Sequence, residues 1–263
     1  MKRIKFAAQA VLASCTLIVV ASLLCSSAVA KDRTKTVRVS REYSELVVSS
    51  SINVIWSTTA NDLVLTADEA IMDQIVVENY GEKLKIYLKP SFKQRNIGSI
   101  TAEVPSSALI DEITISGAST FVSETPIAAH KLDVEVSGAS KFKSDLNVRG
   151  KLEIDCSGAS TFRGNVTSDR FSIELSGASS AVVSGTTGDA EIEVSGASSL
   201  SALDKPVKTV NAECEITGAS SAKINCTGAV TGYVSGASYL GYGPSASHAS
   251  VSSLGASKAK AEF

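Results

Sequence analysis

The sequence predicts an all-β protein, a right-handed parallel β-helix or solenoid of about 20-residue rungs behind an irregular β N-terminal cap, on three observations. The tetrapeptide S/T-G-A-S begins at Ser116, Ser137, Ser157, Ser176, Ser195, Thr217 and Ser235, with a degenerate eighth copy, Leu254-Gly255-Ala256-Ser257. Its intervals of 21, 20, 19, 19, 22, 18 and 19 residues are too short for a helical hairpin and suit one solenoid turn. Before each copy, apolar and polar residues alternate strictly, as in Leu132-Asp-Val-Glu-Val136 and Leu152-Glu-Ile-Asp-Cys156, the pattern of a half-buried strand. Finally, aromatics make up only 5% of the chain, so the core must be aliphatic and its glycines and serines recur with a period rather than at random.

Taken in order, residues 1–30 read as a signal peptide. Lys2, Arg3 and Lys5 form a basic start, Phe6 to Leu24 is apolar and uncharged, and Ala28-Val29-Ala30 is a small-x-small site that places cleavage after Ala30. The competing reading is a lipid anchor at Cys15, within the lipobox-like Leu12-Ala13-Ser14-Cys15. Either route exports the protein, to the periplasm, the outer-membrane periphery or the cell surface, and leaves the mature chain without a transmembrane segment. Removing these residues takes away three basic side chains and no acidic ones, which leaves 22 basic against 27 acidic and a net charge of −5. A chain of that sign does not suit nucleic acid.

Residues 31–105 form the β lead-in and cap, with Tyr43 to Val48, Ile52 to Trp56, Asp62 to Leu65, Ile75 to Val77 and Lys83 to Leu88 as candidate strands. Asp68 to Asp73 is expected to make one helical turn with Asp68 as its N-cap, and Tyr80-Gly81 a tight turn. The lone Trp56 belongs in the core. Residues 106–263 hold the repeats, and residues 31–263 together form one continuous domain.

Stacking the repeats puts apolar columns five, three and one residues before each first serine. A further column five residues after it holds Phe121, Phe142, Phe162, Ala181, Leu200, Ala222 and Leu240. Gly117, Gly138, Gly158, Gly177, Gly196, Gly218, Gly236 and Gly255 then fall at a sharp corner that requires positive φ. The flanking serines are expected to stack and to hydrogen-bond the turn backbone. Cys156 and Cys214 fall in core columns as small hydrophobes, whereas Cys226 is unplaced and a Cys214–Cys226 bridge stays open.

The serial apolar-x-apolar-x-apolar-S-G-A-S pattern resembles the putative autotransporter adhesin, head GIN domain family. So do the lead-in Ile52-Asn-Val-Ile-Trp56 … Leu63-Val-Leu65 … Leu84-Lys-Ile86 and the closing Ser235-Gly-Ala-Ser-Tyr-Leu-Gly-Tyr-Gly-Pro244. The resemblance covers roughly residues 37–260. It implies a β-helical domain of unknown function in exported bacterial envelope proteins, and it transfers no catalytic residues. The sequence departs from a true autotransporter in offering no barrel-like segment after the solenoid, since Ser257-Lys-Ala-Lys-Ala does not read as a barrel strand.

Chemistry is sparse. His130 and His248, the only two histidines, fall at connections between rungs and read as solvated turn residues. There is no H-E-x-x-H, P-loop or Rossmann fingerprint, and no cofactor is expected. Gly-x-Ser recurs but never continues to G-x-S-x-G, and a nucleophile needs one activated serine rather than a row of equivalent ones.

The outward side of the first strand is the one pronounced surface. Asp133, Glu153, Glu191 and Glu213 form one carboxylate column, and Glu135, Asp155, Glu174, Glu193 and Glu215 a second. Lys131, Lys151 and Arg170 flank the earlier rungs. Asp189, Glu191, Glu193, Glu213 and Glu215 have no such flank, which makes them the candidate face for a weakly held divalent cation or a basic partner, or a plain solubility device. The reading is a non-enzymatic, adhesin-like structural or interaction module whose partner is an unidentified envelope or extracellular protein or glycan. Its alternatives are a carbohydrate-binding or carbohydrate-cleaving β-helix and a cation-responsive assembly protein.

Overall fold

The computed structural model describes residues 32–93 and 98–262. The signal-peptide and Cys15 readings lie outside them. Within them the repeats coil into a solenoid whose successive turns are hydrogen-bonded in three parallel ladders. The first ladder stacks the strands before each corner, among them Leu132–Val136, Lys151–Cys156 and Ala212–Ile216. The second stacks the strands after it, among them Thr120–Ser123 and Lys141–Lys143. A third, shorter ladder joins Ile127–Ala129 to Leu146–Val148 and reaches Lys208–Thr209 and the end of Ser221–Cys226. In the middle rungs one 15-residue strand, Thr161–Leu175, passes through all three ladders and pairs along its length with Ser180–Val194.

The alternation of apolar and polar residues fixes which side faces in. Val134, Ile154, Ile173, Ile192 and Cys214 stand in register and are buried, as are Val136, Cys156, Leu175, Val194 and Ile216. The column after the corner is buried too, and it begins with stacked rings. Phe121 and Phe142 lie 4.5 Å apart at 3°, and Phe142 and Phe162 lie 5.3 Å apart at 10°. Trp56 extends this stack at 5.8 Å from Phe121 and meets Tyr43 edge-on. Its core assignment holds.

The corners explain the tetrapeptide. All eight glycines have φ between +65° and +81°. In the middle rungs a Cβ on the glycine would lie 2.4–2.7 Å from the carbonyl oxygen of the glycine one turn earlier, which no side chain can do. The following alanine donates its N–H to that same oxygen, as in Ala178 to Gly158 at 2.7 Å, so the ladder continues around the bend. The last serine of each of the first seven copies is buried, and its hydroxyl serves the turn. Ser179 Oγ donates to the carbonyls of Ser176 and Cys156, and Ser198 Oγ accepts from the Ser179 N–H.

The lead-in supplies two rungs of its own, stacked out of sequence order. Glu45–Val48 and Ile52–Ser57 pair with Glu112–Ile115 and Thr120–Ser123 on one side. On their other side they pair with Lys83–Leu88 and Ile100–Pro105, so the second rung in the chain is the outermost in the stack. Antiparallel strands close this end. Ile75–Tyr80 pairs with Lys83–Leu88 through the Tyr80-Gly81 turn, Leu63–Asp68 pairs with Ile100–Pro105, and Asp32–Val37 pairs with Leu63–Asp68. The expected helical turn is a single 3-10 turn at Met72–Gln74. Asp68 does not cap it but accepts from the Ala70 N–H, one turn earlier.

Among the described residues no strand covers the opposite end. On the last rung the inward positions become Ala249, Val251 and Ser253, and the edge strand Lys258–Ala261 carries two lysines. Shrinking the core and charging the edge are standard means of stopping a sheet.

Candidate functional site

The two carboxylate columns fall on the outward side of the first ladder, as the alternation requires. Asp133 pairs in register with Glu153, Glu135 with Asp155, Asp155 with Glu174, and Glu193 with Glu174 and Glu215. Strand neighbours sit at a spacing of about 4.8 Å, so like charges face one another directly. Electrostatic stress is greatest in the earlier rungs. Asp155 is pushed up to about 6, first by loss of water between flanking rungs and then by Asp133 and Glu174. Asp133, Glu112 and Glu193 are raised for the same two reasons, burial leading.

The five residues singled out in the sequence are solvent-facing, and two of them have polar partners. Asn211 Nδ2 donates to Asp189 Oδ1 at 2.9 Å, and the Tyr233 hydroxyl donates to Glu215 Oε2 at 3.2 Å. Asp189, Glu191 and Glu213 line a shallow groove of about 350 Å³ that also contains Lys151 and Arg170. The groove exists because Ser172 takes the place of a carboxylate between Glu153 and Glu191. Arg170 and Asp189 are register partners across adjacent rungs, and Lys151 bonds Glu153 at 2.5 Å. The basic flank therefore reaches further along the stack than the column reading implied.

Among the described residues no group of three or more His, Cys, Asp or Glu is placed to hold a metal ion. His130 sits in an exposed bend, and His248 opens the strand His248–Gly255, also exposed. The last serine of each of the first seven copies is buried, and those at Ser179, Ser220 and Ser238 donate to turn carbonyls. Cys156, Cys214 and Cys226 are free and buried, and burial pushes the Cys156 and Cys214 thiols up to about 12, which keeps them protonated and inert. Cys226, which the repeat could not place, ends a strand in the third ladder opposite Thr209, with its thiol directed at the Val210 carbonyl.

The sequence reading missed this third ladder. Its inward positions mix apolar residues, Ile127, Leu146, Val148 and Val166, with hydroxyls, Ser168, Thr187 and Thr209, and its strands in several rungs are only two or three residues long, so the alternation is too short to announce it. The second oversight was the lead-in corner Ser49-Ser50-Ser51. There Ser50 and Ser51 adopt φ of +74° and +62° and do the work of Gly-Ala. The signal was present as Leu46-x-Val48 before the corner and Ile52-x-Val54 after it.

The family model described as "Putative auto-transporter adhesin, head GIN domain" matches residues 42–150 and again residues 146–244. Among solved structures, a putative lipid binding protein from Parabacteroides distasonis superposes with a TM-score of 0.75 at 22% identity, over 88% of this chain and 97% of its own. A putative adhesin from Parabacteroides merdae gives 0.74 at 16%, over 89% and 97%. A second putative adhesin from Parabacteroides distasonis gives 0.78 at 17%, over 88% and 97%. At these identities the likeness is one of fold. No curated protein matches the chain.

Proposed function

Because the chain belongs to the family of putative auto-transporter adhesins with a head GIN domain, we propose that it is a non-enzymatic, adhesin-like interaction module of the cell envelope. The observation that carries this reading is the fate of the repeated serines. The last serine of each of the first seven copies is buried in its corner, as Ser179 is while bonding the Ser176 and Cys156 carbonyls, and the strands between corners turn polar side chains to solvent. Export rests on the basic-apolar-small pattern ending at Ala30. No helix among the described residues is long and apolar enough to cross a membrane.

The experiment is protease accessibility of the protein on intact cells, combined with binding of the purified protein to arrayed glycans and matrix proteins. Surface exposure together with saturable binding supports the reading. Release of sugar fragments from a polysaccharide panel would show a carbohydrate-cleaving β-helix instead. A carbohydrate-binding reading has one specific observation in its favour, the groove in which Arg170, Asp189 and Glu191 come together. If it is right, Arg170→Ala removes glycan binding without lowering the melting temperature.

A further inference from the structure

The prism carries opposite charge on two adjoining faces. The first ladder presents carboxylates outward on every rung from Glu112 to Glu215. The second ladder presents Lys141, Lys143 and Arg163 outward, aligned in register as Lys143 against Arg163, and its strands carry no carboxylate between Thr120 and Tyr242. The described residues contain three ion pairs, Lys83 with Glu45, Lys151 with Glu153, and Lys223 with Glu262, and none of them uses Lys141, Lys143 or Arg163. Glu124 and Asp145 line the same groove as Lys143 and Arg163 without forming an ion pair to them. Of the carboxylates on the repeat rungs of the first ladder, only Glu153 has a basic partner. Burial and then mutual repulsion raise Asp133 and Asp155 on the first face, while Lys141, Lys143 and Arg163 stand on the adjoining one.

We propose that these two faces dock against each other between copies, the carboxylate face of one molecule on the lysine-arginine face of the next. The charges match on two adjacent rungs. Asp133 and Glu135 share a turn with Lys141 and Lys143, and Glu153 and Asp155 share one with Arg163. Parallel neighbours set at equal height therefore bring opposite charges together at each of these levels. Both faces are flat sheets with exposed side chains, so no rearrangement is needed to bring them into contact. Because the two surfaces differ, each copy keeps one free face after pairing, and assembly proceeds beyond a dimer.

Sedimentation velocity of the purified protein tests this. Mass should rise with concentration at about 0.02 M ionic strength and fall to monomer at about 0.5 M, where charges are screened beyond a few ångströms. The double variants K141E/K143E and D133K/E135K should each lose association by about tenfold or more, with unchanged circular dichroism. Mixed in equal amounts they should associate again, since one supplies an intact acidic face and the other an intact basic one. A parent that stays monomeric at low salt, variants that assemble like the parent, or a mixture that stays monomeric would each overturn the proposal. Binding of the basic face to anionic vesicles without self-association would overturn it too.

Discussion

Gly177 combines two constraints that a single substitution separates. Its φ of +74° strains any L side chain, and a Cβ there would lie 2.7 Å from the Gly158 carbonyl. Gly177→Val should destabilise the fold by about 1–3 kcal/mol through strain and displacement of the neighbouring rung, and a thermal melt equal to the parent would refute the corner geometry. Asp155 poses the opposite problem, a charge where none is wanted. Its pKa in the fold is raised to about 6, above the value in the unfolded chain, so ionisation disfavours the native state above that pH. The penalty is therefore present at pH 7 and relieved as the pH falls through 6 toward the ordinary carboxylate range. Melting temperature should rise on acidification from pH 7 to 5. Asp155→Asn should gain about 1 kcal/mol at pH 7, a figure reduced for solvent screening, and should flatten the pH profile.

Among the elements, the Phe121–Phe142–Phe162 ladder is a continuous stack of rings in the core. Phe142→Ala removes the middle ring and should cost about 3–5 kcal/mol, measured by denaturant titration. The same change at Ala-bearing rungs has no counterpart, because Ala181 and Ala222 already hold that column. The carboxylate strands splay from a flat sheet and converge on no point. Replacing sodium by calcium at constant ionic strength should leave the melting midpoint unchanged. A calcium-specific rise that vanished with Glu191, Glu193, Glu213 and Glu215 changed to Gln would establish the cation reading. These elements were legible because a strand with one wet face must alternate, and a corner repeated at near-constant interval must reuse its glycine. What was not legible had lost one of those signals. The corner at Ser50 reaches positive φ without glycine, and the third ladder buries hydroxyls such as Thr209, whose Oγ1 bonds the Gly188 and Asn211 carbonyls.

At the scale of the whole molecule, protection should grade along the stack. Amides in the rungs from Leu132 to Val194 are flanked on both sides and should exchange with solvent slowest. Those of His248–Gly255 and Lys258–Ala261, whose inward side chains are small or exposed, should exchange first in a native-state hydrogen-exchange experiment. The order of rungs at the other end was hidden from sequence reading, since nothing local records which of two neighbours a strand will choose. Its consequence is mechanical. Drawn from its C-terminal side, the solenoid has a last described turn, His248–Gly255 with Lys258–Ala261, that is bonded on one edge only among the described residues, and it can unwind like thread from a spool, one rung after another. Drawn from its N-terminal side, once Asp32–Val37 has peeled away, the next turn to move is Glu45–Val48 with Ile52–Ser57, bonded on both edges. That turn must be pulled out from between its neighbours, as a card is pulled from within a deck. A tether at the N-terminal side would therefore hold against load that strips the far end, and single-molecule stretching from each side should register a higher first rupture force at the N-terminal one.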